Sequence, residues 1–295
     1  MRWEDLREEE FESAIEKSKG LCVLPLGCLE KHGQHLPVGT DKYIAEAVIE
    51  EATKLEAVVV FPTGCWLGDV SAQPETNSDG KPKWRGSINL STDLQLTLLE
   101  EIFDEIRRNG FTKVVLIRKQ PAGANISGLF MRYIAYNKRD YAMFTMNPVD
   151  PQISAPAAVL KTVTERRADF PMITDDDIKT LENWAAQGLN KSVYWDTPLM
   201  LAMKEQLVAK NRYNAEKNDP VRDLSAFDAD TIMFSGMQNL RCPNGLCVEV
   251  PEGCTKSIGQ AILKINAEAM AAAFKLLKAD EECMRIVNGI PMGQK

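Results

Sequence analysis

The 295 residues carry 35 basic and 42 acidic side chains, a net charge of −7, with no basic stripe, which argues against nucleic acid or an anionic membrane as a partner. Apolar residues make up 44%, enough for a substantial core, and no apolar run reaches the length of a membrane span. The first twenty residues lack the apolar stretch of a signal peptide and the seven cysteines are odd in number, so a cytoplasmic protein with reduced thiols is expected.

Strand-like and helix-like segments alternate along the chain, the pattern of a layered α/β fold with a largely parallel sheet. LCVLPLG (Leu21–Gly27) reads as a buried strand. Asp41 or Thr40 is placed to cap a helix through Ile44–Leu55. AVVVFP (Ala57–Pro62) reads as a second strand, followed by a long loop from Thr63 to Arg85 of the kind that often carries function. SINLS (Ser87–Ser91) suggests a short strand. Ser91 or Thr92 then caps a helix with apolar positions Leu94, Leu98, Leu99, Ile102 and Ile106, closed at Asn109–Gly110.

Lys113–Ile117 is a further strand, Ile126–Tyr136 a helix and Tyr141–Met146 another strand; proline-rich Pro148–Pro156 interrupts the pattern. Helices are expected at Asp175–Leu189 and Thr197–Val208, an exposed connection at Lys210–Asp223, and a long final helix at Ser257–Ala279. No internal repeat or domain boundary is visible, so residues 1–295 are read as one domain. Cys242, Cys247 and Cys254 match no zinc-ribbon spacing.

Both histidines fall in one loop, GCLEKHGQHLPVGTD (Gly27–Asp41), directly after the first strand. Glu30, His32, His35 and Asp41 lie within twelve residues, and carboxylates with imidazole suit Zn²⁺ or Mn²⁺. In a parallel α/β sheet, ligands sit beyond the carboxyl ends of the strands, where this loop begins.

LPLGCLEKHGQHLPVGTDKYIAE (Leu24–Glu46) resembles the signature of the creatininase (creatinine amidohydrolase) family, agreeing at Glu30, His32, Gly33, His35, Leu36, Pro37, Thr40 and Asp41. Gly86–Ile117, DTPLMLAM (Asp196–Met203) and GCTKSIGQAI (Gly253–Ile262) resemble later family segments in the same order. The resemblance implies a three-layer α/β/α sandwich and two divalent ions, Zn²⁺ or Mn²⁺. It also implies hydrolysis of C–N bonds in cyclic or linear amides, and a homo-oligomer, commonly a hexamer. By position, Glu30 and His32 resemble ligands of different ions and Asp41 the carboxylate between them.

The chain also departs from that pattern. Where the family places a metal-binding histidine after the Gly-Phe strand, it reads RKQPAGAN (Arg118–Asn125), so Gln120 or Ala122 stands at that position according to the alignment. Ala124 stands where some members have a glutamate ligand, and Asp196 replaces the glutamate of a Glu-Thr-Ser segment. Arg118 and Lys119 add positive charge near the expected metal. Two unit charges about 4 Å apart at an effective dielectric near 20 repel by about 4 kcal/mol, unless these side chains turn to solvent.

The leading expectation is therefore a metal-dependent amidohydrolase with an altered site. Glu30, His32 and Asp41 hold an ion that activates water and polarises the amide. His35 orients substrate or shuttles a proton, and Asp196 and Glu75 are candidate additional acids. One alternative is a degenerate member of the fold that binds a small molecule or partner without hydrolysis. Another is a cysteine nucleophile, Cys28 or Cys65, with His32 or His35 as base. Trp66, Trp84, Trp184 and Trp195 line a pocket or pack the core.

Overall fold

The computed structural model describes residues 1–65, 85–88, 90–119, 126–137, 139–188, 193–215 and 249–287. Most of the long loop after the second strand lies outside these residues, as do Trp66, Glu75, Trp84, Gln120, Ala122, Ala124, Cys242 and Cys247.

Four parallel strands form the centre, in the order β2-β1-β3-β4. They are β1 (Leu21–Leu26), β2 (Val59–Val60), β3 (Lys113–Arg118) and β4 (Ala142–Met146). Every residue of β1 and β3 is buried. Their near-continuous apolar runs have this cause: in a parallel sheet both faces are covered, so neither face can be polar.

Alternate residues then divide between two cores. Leu21, Val23, Val115 and Ile117 join α2 (Thr40–Leu55), α6 (Pro156–Glu165), α7 (Asp175–Ala186), α8 (Val193–Lys204) and α9 (Lys256–Ala279). Cys22, Leu24, Leu26, Val114 and Leu116 join α1 (Phe11–Ser18), α3 (Thr92–Arg108) and α4 (Ile126–Tyr136) on the other face. The result is the layered α/β fold that the alternating pattern implied, in the three-layer α/β/α form that the family resemblance implied. Two short helices, α5 (Pro151–Ser154) and α10 (Glu282–Val287), complete the described α-helices, beside a few single-turn 3-10 helices. None of the described helices is long and apolar enough to cross a membrane.

The main sequence-derived elements are present, with instructive differences. α2 begins at Thr40, and its N-cap residue, Gly39, makes no side-chain capping bond. Both expected capping residues are engaged elsewhere. Thr40 donates to Pro37 O at 2.7 Å, and Asp41 is turned towards buried cations. SINLS does not form a strand in the described residues; Ile88 makes a single antiparallel bridge to Leu29.

The proline-rich stretch expected to break the pattern instead starts two helices, α5 and α6, each with proline in its first turn. Proline is suited there because the first amides of a helix have no partner to lose. α8 starts at Val193, four residues before the expected Thr197, which places Asp196 in its first turn. Trp184 and Trp195 are core residues, and Trp184 donates its indole N–H to Glu252 O at 2.9 Å.

α8 and α9 pack closely enough that one glycine is obligatory. A Cβ on Gly259 would fall 1.9 Å from the carbonyl oxygen of Pro198. Gly259→Ala is expected to cost about 2 kcal/mol, since overpacking a dense interface forces backbone shifts. Urea unfolding checks this: the midpoint should fall with little change in slope.

Candidate metal centre

The site gathers at the carboxyl ends of β1 and β3, which pair in register up to Leu26 and Arg118. Beyond β1 the chain passes tightly under the first turn of α2. A Cβ on Gly27 would lie 2.4 Å from the Cα of Lys42, so only glycine lets α2 start this close to the strand end. The following loop folds back on itself through Glu30 N–H to Val38 O at 3.0 Å. Glu30, His32 and Asp41 are thereby brought together. Lys119 arrives on the residue after β3, and Asp196 from the first turn of α8.

Asp41 is the hub, only 1% exposed. Its Oδ1 accepts from Lys119 Nζ at 2.6 Å and lies 3.1 Å from His32 Nε2. His32 Nε2 is also 3.8 Å from Glu30 Oε1. Lys119 Nζ lies 2.9 Å from Asp196 Oδ1, an ion pair without hydrogen-bond alignment. Among the described residues, Asp41 Oδ2 and Asp196 Oδ2 have no hydrogen-bond partner although both are buried. Buried carboxylate oxygens are seldom left so, because each lost bond costs stability.

His32 is oriented for ligation. Its Nδ1 is 3.1 Å from the carbonyl oxygen of Glu30. A proton on Nδ1 serves that bond and leaves Nε2 facing the carboxylates, the arrangement that metal-binding histidines use. Cys28, Glu30 and Asp41 form a second grouping around the same two carboxylates, with ligand atoms within 4.8 Å of one another.

The electrostatics follow from burying charges of both signs together. Burial disfavours the Asp41 carboxylate, but Lys119 and His32 outweigh it and hold its pKa well below the usual range. Burial likewise pulls His32 down, yet Asp41 and Glu30 lift it to about 9. Glu30 is raised to about 7 by burial and by Asp41. Burial opposes the charge on Lys119, but Asp196 and Asp41 raise its pKa, so it is a fixed cation. Asp196 is raised by burial.

His35 faces a different partner. Its Nε2 is 2.9 Å from Thr197 Oγ1, and its ring meets Tyr213 edge-on at 5.2 Å. Burial, then the charge of His32, lowers it to about 4, so it is neutral at physiological pH.

Glu30, His32 and Asp41 thus converge as the loop spacing suggested, with Asp196 joining them through Lys119. Lys119 is the member that the residue pattern left open: it turns inward rather than to solvent, and only 7% of it is exposed. A lysine directly following a fully buried strand was the available signal, since both faces of such a strand end are covered. Cys28 is not set up as a nucleophile. Burial, reinforced by Asp41 and Glu30, pushes its thiol pKa far up, away from the reactive thiolate.

The donor set fits one divalent ion. Glu30, Asp41 and Cys28 offer ligand atoms within 4.8 Å of one another, and His32 Nε2 lies 3.1 Å from Asp41 Oδ1 and 3.8 Å from Glu30 Oε1, so a bound ion would displace the His32 proton. Among the described residues it does not offer two equivalent places, because Lys119 already holds Asp41 Oδ1 and faces Asp196.

The sequence model of the creatininase family, described as creatinine amidohydrolase, matches residues 4–274. The chain belongs to the creatininase family. One curated relative, creatinine amidohydrolase of Pseudomonas putida, is 26% identical over 113 residues. That match spans 38% of this chain and 42% of the relative.

Solved creatininase structures superpose over almost the whole molecule. A creatinine amidohydrolase crystal structure has a TM-score of 0.65 at 18% identity, covering 95% of this chain and 98% of that one. A mutant creatininase described as zinc–zinc type gives the same values. A manganese creatininase gives 0.64 at 17% identity, with 95% and 99% covered. At these identities the likeness establishes the fold.

Proposed function

We propose that this creatininase-family chain is a metal-dependent amidohydrolase acting on a C–N bond of a small cyclic or linear amide, with an altered metal site. The observation that carries the reading is the convergence of Glu30, His32 and Asp41, with a buried Asp41 oxygen that no described group satisfies. The zinc and manganese forms among the similar creatininase structures support it.

On this reading Glu30, His32 and Asp41 hold one ion, and the Cys28 sulfur tilts the set towards zinc over manganese. When bound, such an ion polarises a carbonyl and brings the pKa of water near neutrality. The chain's own residues do the rest. The Glu30 carbonyl fixes the His32 tautomer, and Asp41 balances the charge of Lys119. His35, neutral and held by Thr197, is available to accept or deliver a proton or to orient the substrate. Asp196 positions Lys119. A small-molecule amide as partner, a homo-oligomer and a cytoplasmic setting belong to the same reading.

The test is hydrolysis of a panel of cyclic amides and formamides by protein purified without a His-tag. The chelated protein should be inactive and regain activity with Zn²⁺ or Mn²⁺. His32→Ala should lose at least about 100-fold in metal affinity, since outer-shell partners alone are worth 10–100-fold. Loss of metal without loss of hydrolysis would contradict the reading. A second reading, a creatininase fold that binds a small molecule without hydrolysis, is favoured by one observation: a lysine ammonium already holds the central carboxylate. Metal binding with no turnover of any substrate in the panel would favour it.

A further inference from the structure

The buried ammonium in this centre has no counterpart in the expected ligand set, and its placement decides what else the centre can hold. Lys119 Nζ is 2.6 Å from Asp41 Oδ1 and 2.9 Å from Asp196 Oδ1. Both carboxylates are almost wholly buried, at 1% exposure each. A cation bridging two buried carboxylates, one of them shared with a histidine, fills the place between Asp41 and Asp196 that another cation would otherwise take. Its positive charge is carried by the chain itself.

We infer that Lys119 serves as a built-in cation in place of a second metal ion, making this a single-ion centre bounded by the ammonium. The inference rests on the metal reading above and deepens it. The two sides of Asp41 are then chemically distinct. Oδ1 faces both Lys119 and His32, while Oδ2, which has no hydrogen-bond partner among the described residues, is left for the ion. Asp196 is explained by the same arrangement. Its carboxylate, 2.9 Å from the ammonium, holds Lys119 directed at Asp41, as a positioning residue.

An ammonium also differs from a metal ion in what it does for a reaction. It donates hydrogen bonds and stabilises negative charge, but it neither exchanges ligands nor expands its coordination. Lys119 is therefore suited to holding one end of an anionic group near the ion, while the ion alone acts as Lewis acid.

The experiment is metal stoichiometry. The wild-type chain is stripped with chelator, titrated with ZnCl₂, passed over a desalting column and analysed by inductively coupled plasma mass spectrometry. Saturation at one zinc per chain is expected. Lys119→Gln frees Asp41 Oδ1 and Asp196 and should rise to two zincs per chain, whereas Lys119→Arg, which keeps the charge, should remain at one.

Two zincs in the wild type, or one in a folded Lys119→Gln chain, would overturn the inference while leaving the metal reading intact. No zinc in the wild type would overturn the metal reading itself, and the inference with it. If Lys119→Gln does not fold, the wild-type zinc isotherm decides: saturation at one supports the inference and saturation at two overturns it.

Discussion

Replacing Asp41 with alanine is expected to destabilise the protein by about 3–5 kcal/mol, the range seen when one member of a buried ion pair is removed. The reason lies in what remains. Lys119 and His32 both point at Asp41 Oδ1, at 2.6 and 3.1 Å, from positions that are 7% and 5% exposed. Without Asp41 they face each other across a dry space, with Asp196 and Glu30 as the nearby acids. The change differs from deleting a surface ion pair, for which about 0–1 kcal/mol would be expected. Urea unfolding of the chelated proteins gives the difference directly. Asp41→Ala should also bind no zinc, because the carboxylate shared by every proposed ligand is gone. A loss below about 1 kcal/mol would mean that the cluster is solvated rather than buried.

The second large effect is on pH dependence in the metal-free chain. His32 has its pKa raised to about 9, principally by Asp41 working against burial. A raised folded-state pKa means that the folded protein holds a proton the unfolded chain releases. The stability from that proton is complete below the unfolded value near 6.5, and it is lost as pH climbs through about 9. At about 1.4 kcal/mol per pKa unit this amounts to roughly 3 kcal/mol.

Glu30, raised to about 7, adds to the same downward slope between 4.5 and 7. His35 acts in the opposite sense. Its pKa is lowered to about 4, so the unfolded chain takes up a proton that the folded one refuses, and stability falls as pH drops from 6.5 to 4. The two trends oppose each other in mild acid, and the His32 decline stands alone above neutrality. Chelated protein should therefore lose roughly 3 kcal/mol between pH 6.5 and 9.

With zinc present the slope should shrink or reverse, because the ion takes the place of the His32 proton and binds better as that proton leaves. His32→Gln should flatten the chelated curve. Urea midpoints at both pH values, with and without zinc, check all of these. Equal stability at pH 6.5 and 9 in chelator would show that His32 is not held protonated.

Much of this was legible in the residues. β1, β3 and the helices α3, α4 and α9 follow from apolar runs, a serine cap at Ser91 and glycine at Gly110. The convergence of Glu30, His32 and Asp41 followed from a short loop at a strand end. Other features were less accessible, for identifiable reasons. Asp41 has the residue type and position of a helix cap, and only the presence of Lys119 across 78 residues shows why it does not cap. Asp196 was legible as a candidate acid, but its place in the first turn of α8 was not, because α8 starts four residues earlier than its apolar pattern indicated. The direction of Lys119 depends on whether both sides of the β3 end are covered. That is a property of the packed layers and not of its neighbours in sequence. α6 was hidden because prolines read as breakers, although at a helix start they are accommodated.

The central claim is that one ion is held by Glu30, His32 and Asp41 beside the Lys119 ammonium. Anomalous diffraction at the zinc edge, from crystals of zinc-loaded wild-type protein, tests it most directly. A single peak is expected at about 2.0–2.2 Å from oxygens of Glu30 and Asp41 and from His32 Nε2, with Lys119 still between Asp41 and Asp196. No peak within ligand distance of Asp41, in crystals of protein shown to be folded, would contradict it.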